Sequence, residues 1–76
     1  MTANGATHHR NRLNKYAQAT GTRVEYRDSS TGPAQAPTWT SSVFLNGFHH
    51  GTGQGGTINA SREQAALAAL TVLSQQ

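Results

Sequence analysis

The chain has 76 residues, 34% of them hydrophobic and 12% charged, which sets a single small domain with little core to spare. It contains no cysteine, so disulfides and thiolate metal sites are excluded, and the composition fits a reducing compartment, cytoplasm or nucleus. Six basic residues against three acidic ones give a net charge of +3, and five of the six (Arg10, Arg12, Lys15, Arg23, Arg27) lie between Arg10 and Arg27, a balance suited to a polyanion partner. No apolar run reaches the ~18 residues of a membrane span, and the segment before Arg10 has no signal-peptide apolar stretch.

Residues 1–7 are small and polar, with an Asn4-Gly5 pair, and are expected to be a disordered tail ahead of a domain over 8–76. Thr7 is placed to cap a helix from about His8 to Thr20, ended by Gly21. Its apolar face is thin (Leu13, Tyr16, Ala17) and its other face is polar (Asn11, Asn14, Lys15, Gln18). Such a helix is held by packing rather than by propensity. Arg23 to Ser29 alternates Val24 and Tyr26 with charged residues, the pattern of a half-buried strand. Ser29 to Pro37 holds both prolines and is a loop.

A second strand is expected over Trp39 to Leu45, with Trp39, Ser41, Val43 and Leu45 sharing one parity. Asn46-Gly47 is a strong hairpin signal, because a type I′ turn needs positive φ at both central residues. A third strand follows over roughly Phe48 to Thr52, and the glycine-rich run beyond it is expected to turn. Ala65, Ala66, Ala69, Leu70 and Leu73 then mark one face of a long helix, with Thr57 or Asn59 able to cap its start. The order α-β-β-β-α predicts an α+β domain: a three-stranded antiparallel sheet with two helices packed on one face.

The same residues resemble the double-stranded RNA-binding domain family, over about Arg10 to Leu73. Leu13-Asn14-Lys15-Tyr16-Ala17-Gln18 is similar to the family's first-helix motif, and Tyr26 stands where its first strand keeps an aromatic. Gly32-Pro33-Ala34-Gln35 resembles its G-P-x-H loop, and Trp39 to Gly47 its second strand and turn. Gly51, Gly53 and Gly55, then Ala65, Ala66, Ala69, Leu70 and Leu73, match its glycine lead-in and second helix. No insertion is needed between these points. The departures fall on the binding motifs. The family's S-K-K-x-A-K aligns with Thr57 to Arg62, where Ile58 and Asn59 replace two lysines and only Arg62 stays basic. Lys15 replaces a glutamate, and Gln35 a histidine.

The resemblance implies a non-catalytic module whose partner is double-stranded RNA. Such a module reads the shape of an A-form duplex over ~16 base pairs, through two minor grooves and the phosphates between them. It implies three contact surfaces: Asn11, Asn14, Lys15 and Gln18 on the first helix, Gly32, Pro33 and Gln35 in the loop, and Thr57, Asn59 and Arg62 at the second helix start. With two lysines lost, weak and sequence-independent binding is expected. Some domains similar to this family instead associate with themselves or another protein through the third strand and second helix. Here Phe44, Phe48, Leu67 and Val72 are the apolar residues suited to that alternative.

Other motifs lead nowhere. Gly51-x-Gly53-x-x-Gly56 precedes a helix, but the chain ends before a dinucleotide site could supply its acid. His8-His9 and His49-His50 have no completing ligands, and no nucleophile–base set is visible, so no metal, cofactor or catalysis is expected. Asn59-Ala60-Ser61 fits the glycosylation acceptor pattern and is read as part of a helix start.

Overall fold

The computed structural model describes residues 8–75; the expected tail over 1–7, the Thr7 cap and Gln76 lie outside them. The elements are α1 (His9–Thr20), β1 (Val24–Thr31), β2 (Thr38–Leu45), β3 (Phe48–Gly55) and α2 (Ile58–Ser74). The expected α-β-β-β-α order is therefore the observed one. The three strands form one antiparallel sheet in the order β1-β2-β3. α2 packs on the sheet over β3 and β2, and α1 packs beside α2.

The hairpin turn forms as its residues dictate. Asn46 and Gly47 take φ of 53° and 86°, and the Asn46 side chain accepts from the Arg23 backbone N–H at 2.9 Å. Asn46 N donates in return to Arg23 O. Asn46→Ala removes both the left-handed tolerance and this bond. It is expected to cost about 1–2 kcal/mol, read as a lower urea midpoint with unchanged m.

β3 corrects one expectation. It runs to Gly55 rather than turning after Thr52, so the glycine run is strand. The reason lies across the sheet. A Cβ on Gly51 would stand 2.6 Å from Ala65 O, one on Gly53 2.3 Å from Ala65 N, and one on Gly55 2.7 Å from Ala60 Cβ. The strand presents bare backbone so that α2 can lie directly on it. A bulge between Val43 and Phe44 sets Gly51 opposite Val43 and His49 opposite Phe44, which leaves His50 as the extra residue.

The core is small: Leu13, Val43, Leu45, Ala65, Ala66 and Ala69, with Val24, Tyr26, Leu70 and Leu73 packed around it. α2 is capped by Thr57, whose Oγ1 accepts from Ala60 N at 3.0 Å; Asn59 lies inside the helix and is not the cap. α1 ends at Gly21, as expected, with φ 72°. Tyr16 departs from its expected place on the apolar face. It is 38% exposed, because the contact follows the Leu13–Ala17 ridge, one turn apart, and Tyr16 lies off that line.

Candidate nucleic-acid interface

α1 carries the side chains expected to contact RNA on an exposed polar face. Asn11, Asn14, Lys15 and Gln18 are all exposed while Leu13 and Ala17 are buried. Arg12 lies on the same outward surface, although the family motif does not single it out. Nothing at His8 caps this helix through its side chain, and its first turn holds no acid. The cap comes from α2. Glu63 Oε1 accepts from the backbone N–H of His9 at 3.0 Å and of Arg10 at 3.3 Å, and Oε2 accepts from Arg10 Nε at 2.6 Å. Glu63 is only 6% exposed. One carboxylate thus ends α1, pairs Arg10 and joins the two helices. Burial pushes the Glu63 carboxyl up, but the Arg10 side chain and the backbone donors outweigh it, so its pKa lies below the ordinary value.

A second ion pair closes the other side of the α2 start. Arg62 donates to Asp28 from Nε at 3.1 Å and 3.2 Å and from Nη2 at 2.5 Å. Its guanidinium also sits 5.4 Å over the Tyr26 ring. Ser41 Oγ donates to Asp28 Oδ1 at 2.5 Å and lies 2.6 Å from Ser61 Oγ, an arrangement that satisfies two buried hydroxyls. The Arg62 hydrogen bonds hold the Asp28 carboxyl below its usual range, against the opposing push of burial and with help from Ser41. Arg62, the one basic residue left in the α2 motif, is therefore already partnered. Arg12, Lys15, Arg23 and Arg27 make no ion pair among the described residues.

Strand register brings the remaining pieces to one end of the sheet. Thr31 pairs with Thr38, and Trp39 pairs with Gly55, so the Gly32–Pro37 loop and the α2 start lie at the same end. Gly32, Pro33 and Gln35 are exposed there, with Gly32 at φ 91°. Ala36 N closes the turn on Pro33 O. Asn11 and Asn14 line a crevice together with Arg62. Thr57 has its hydroxyl committed to the cap, and Asn59 Oδ1 lies 3.5 Å from Arg10 Nη1.

The apolar residues considered for a protein partner do not form one surface. Phe48 is 71% exposed, Val72 40% and Leu67 37%. Leu67 lines a groove between β3 and α2 with Ala60, Ala68 and Thr71. Phe44 alternates with buried Val43 and Leu45, so it lies on the opposite sheet face. There Arg27 sits 4.8 Å over its ring and His49 meets it edge-on.

A helix–three-strand–helix domain built on one antiparallel sheet is the fold of double-stranded RNA-binding domains. The chain belongs to the double-stranded RNA binding motif family, whose sequence profile matches residues 9–73. That family is a non-catalytic RNA-binding module. The structure is similar to the second such domain of DRB4, at 28% identity and TM-score 0.66, covering 87% of this chain and 94% of that one. It is also similar to the first such domain of HYL1, at 28% identity and TM-score 0.69, covering 84% and 93%. The two-domain DRB4 structure with its linker shares the fold, with TM-score 0.73 over all of this chain and half of that one. No curated protein sequence matches the chain. No helix of the described residues is long and apolar enough to cross a membrane.

Arg10 and Glu63 were not singled out as a site by motif reasoning. The spacing held a signal for both. Arg10 stands one turn before Leu13 on the buried ridge, and Glu63 one turn before Ala66, so each points toward the helix–helix seam.

Proposed function

We propose that this domain binds double-stranded RNA weakly, by shape and without sequence preference. The observation that carries the reading is the exposed polar face of α1, Asn11, Asn14, Lys15 and Gln18, in a chain of this family. Amide side chains both donate and accept, which suits the 2′-hydroxyls and base edges of a wide minor groove. Gly32, Pro33 and Gln35 supply a small exposed loop for the next minor groove. Thr57, Asn59 and Arg62 stand at a helix start, where backbone N–H groups favour phosphate. Binding is weak because Ile58 and Asn59 supply no charge where the family motif has lysines.

The reading is tested by fluorescence anisotropy of a labelled RNA duplex of about 20 base pairs, with DNA of the same sequence alongside, at two salt concentrations. Saturable, RNA-preferring binding that weakens with salt is expected. Lys15→Ala is expected to weaken it and to flatten the log–log salt slope, because one cation is removed from the face that meets the duplex. Absence of RNA binding at high micromolar protein sinks the reading.

A second reading has its own observation. β3 is an edge strand, and Leu67 opens a groove beside it. An exposed edge with Leu67 in the groove beside it suits association with a second copy or another protein. A concentration-dependent mass in sedimentation equilibrium, lost in Leu67→Lys, supports it; a monomer at all concentrations does not.

A further inference from the structure

We propose that the crevice between α1 and α2 is a phosphate site in which Arg10 and Arg62 together hold one phosphodiester group. The identity of the ligand as duplex backbone rests on the reading above; the site rests on geometry. The crevice has a volume of about 370 Å³ and is lined by Arg10, Asn11, Asn14, Tyr26, Arg62 and Glu63. Its two guanidiniums come from different helices.

Each guanidinium lies above its own carboxylate. The side chains of Arg10 and Arg62 are each 34% exposed, while those of Glu63 and Asp28 are 8% and 15% exposed. The negative charges are therefore beneath and the positive charges outermost. An anion entering the crevice meets the cations first, although the four groups sum to zero. Such a site attracts little at long range and acts at contact.

The carboxylates also orient the guanidiniums. Glu63 engages Arg10 through Nε, and Asp28 engages Arg62 through Nε and Nη2. The Tyr26 ring further holds the plane of Arg62. Arginine has five N–H donors, so each keeps some that meet no partner among the described residues: Arg10 at Nη2 and Arg62 at Nη1. Side-chain freedom is already lost before a ligand arrives, which lowers the cost of binding. A phosphodiester has two non-bridging oxygens, one for each guanidinium, and the exposed amides of Asn11 and Asn14 stand at the rim. Phosphate contact thereby moves from the α2 positions held by Ile58 and Asn59 to the seam between the helices.

The test places a carboxylate at the rim. Asn14→Asp adds one negative charge, one turn from Arg10 and at an exposed position that leaves both ion pairs intact. Thr71→Glu adds the same charge on α2, away from the crevice. Thermal unfolding first verifies that both variants fold. Duplex RNA affinity is then measured by anisotropy, and the Nε–H resonances of Arg10 and Arg62 are followed by NMR during titration with RNA and, separately, with inorganic phosphate. The proposal predicts that Asn14→Asp weakens RNA binding about tenfold, the worth of one charge-assisted bond, while Thr71→Glu changes it less than about twofold. It also predicts that both arginine resonances move on saturation. Because Asn14 also belongs to the minor-groove face, its weakening supports the crevice only together with movement of both arginine resonances. If RNA binds and either resonance stays unmoved at saturation, the crevice proposal is overturned and the duplex reading stands; if Asn14→Asp behaves like Thr71→Glu, the crevice and the Asn14 groove contact are both overturned. If RNA does not bind, the duplex reading fails and inorganic phosphate decides. Saturable movement of both resonances that is absent in Asn14→Asp supports the crevice, and unmoved resonances overturn it.

Discussion

Gly53→Ala is expected to lower the stability of the domain by about 3 kcal/mol, at or beyond the upper end of ordinary overpacking. The added Cβ would lie 2.3 Å from Ala65 N and 2.5 Å from both Gln64 C and Gln64 Cβ. Two of these atoms belong to helix backbone, which cannot turn aside as a side-chain tip can. The helix must lift from the sheet, and Ala65, Ala66 and Ala69 would lose their contacts with it. In a domain of this size the midpoint of thermal unfolding should fall by roughly 12–24 °C. Gly56→Ala is the matched control. Its Cβ would meet nothing within 4 Å and its φ is not positive, so the substitution should be neutral or slightly stabilising. Circular dichroism melts of the two variants decide the matter. A Gly53→Ala midpoint within a degree or two of the parent would show that β3 does not need its bare backbone.

The second large effect falls on Glu63. Glu63→Gln keeps the size of the side chain and removes its charge, which weakens three hydrogen bonds from His9 N, Arg10 N and Arg10 Nε at once. Hydrogen bonds to charged groups are worth more than neutral ones, but Arg10 is one-third exposed and regains water. The net loss is therefore about 2 kcal/mol. Arg12→Ala, on the exposed side of the same helix, should change little. Hydrogen exchange separates the cap from a general loss of stability, because the first turn of α1 should lose protection ahead of α2.

The pH dependence follows from the same carboxylates. Glu63 and Asp28 both titrate below their ordinary values of 4.5 and 3.8 in the folded protein. Both therefore contribute stability that is complete above those unfolded values and is lost as pH falls through the folded ones. The parent should lose stability as the pH drops below about 4.5, and Glu63→Gln should show a shallower acid limb. An identical acid limb in the two proteins would remove Glu63 from the account.

Much of this fold could be read along the chain because its causes are local. Asn46-Gly47 turns because those residues tolerate positive φ. Thr57 caps because its hydroxyl reaches the N–H of Ala60, three residues on. Ala65, Ala66 and Ala69 share a face because a helix repeats every ~3.6 residues. The polar face of α1 is legible for the same reason, and the structure leaves Asn11, Asn14, Lys15 and Gln18 exposed as expected.

What lay outside that reading depended on neighbours remote in sequence. The glycines of β3 look like a turn until α2 is laid against them, since their role is to make room for another element. For Arg62 both Glu63, beside it, and Asp28 are candidate partners along the chain, and the fold selects Asp28, 34 residues away. Glu63 instead reaches 53 residues back to Arg10. Phe44 and Leu67 form one apolar set by composition, but strand alternation sends Phe44 to the face that α2 does not cover. Element order, the Asn46-Gly47 turn and the α2 face were determined by the sequence itself, because backbone sterics and periodicity act within a few residues. Which cation stays available and which is paired was decided by the tertiary structure, because a charge is satisfied by whatever the fold brings within about 3 Å of it.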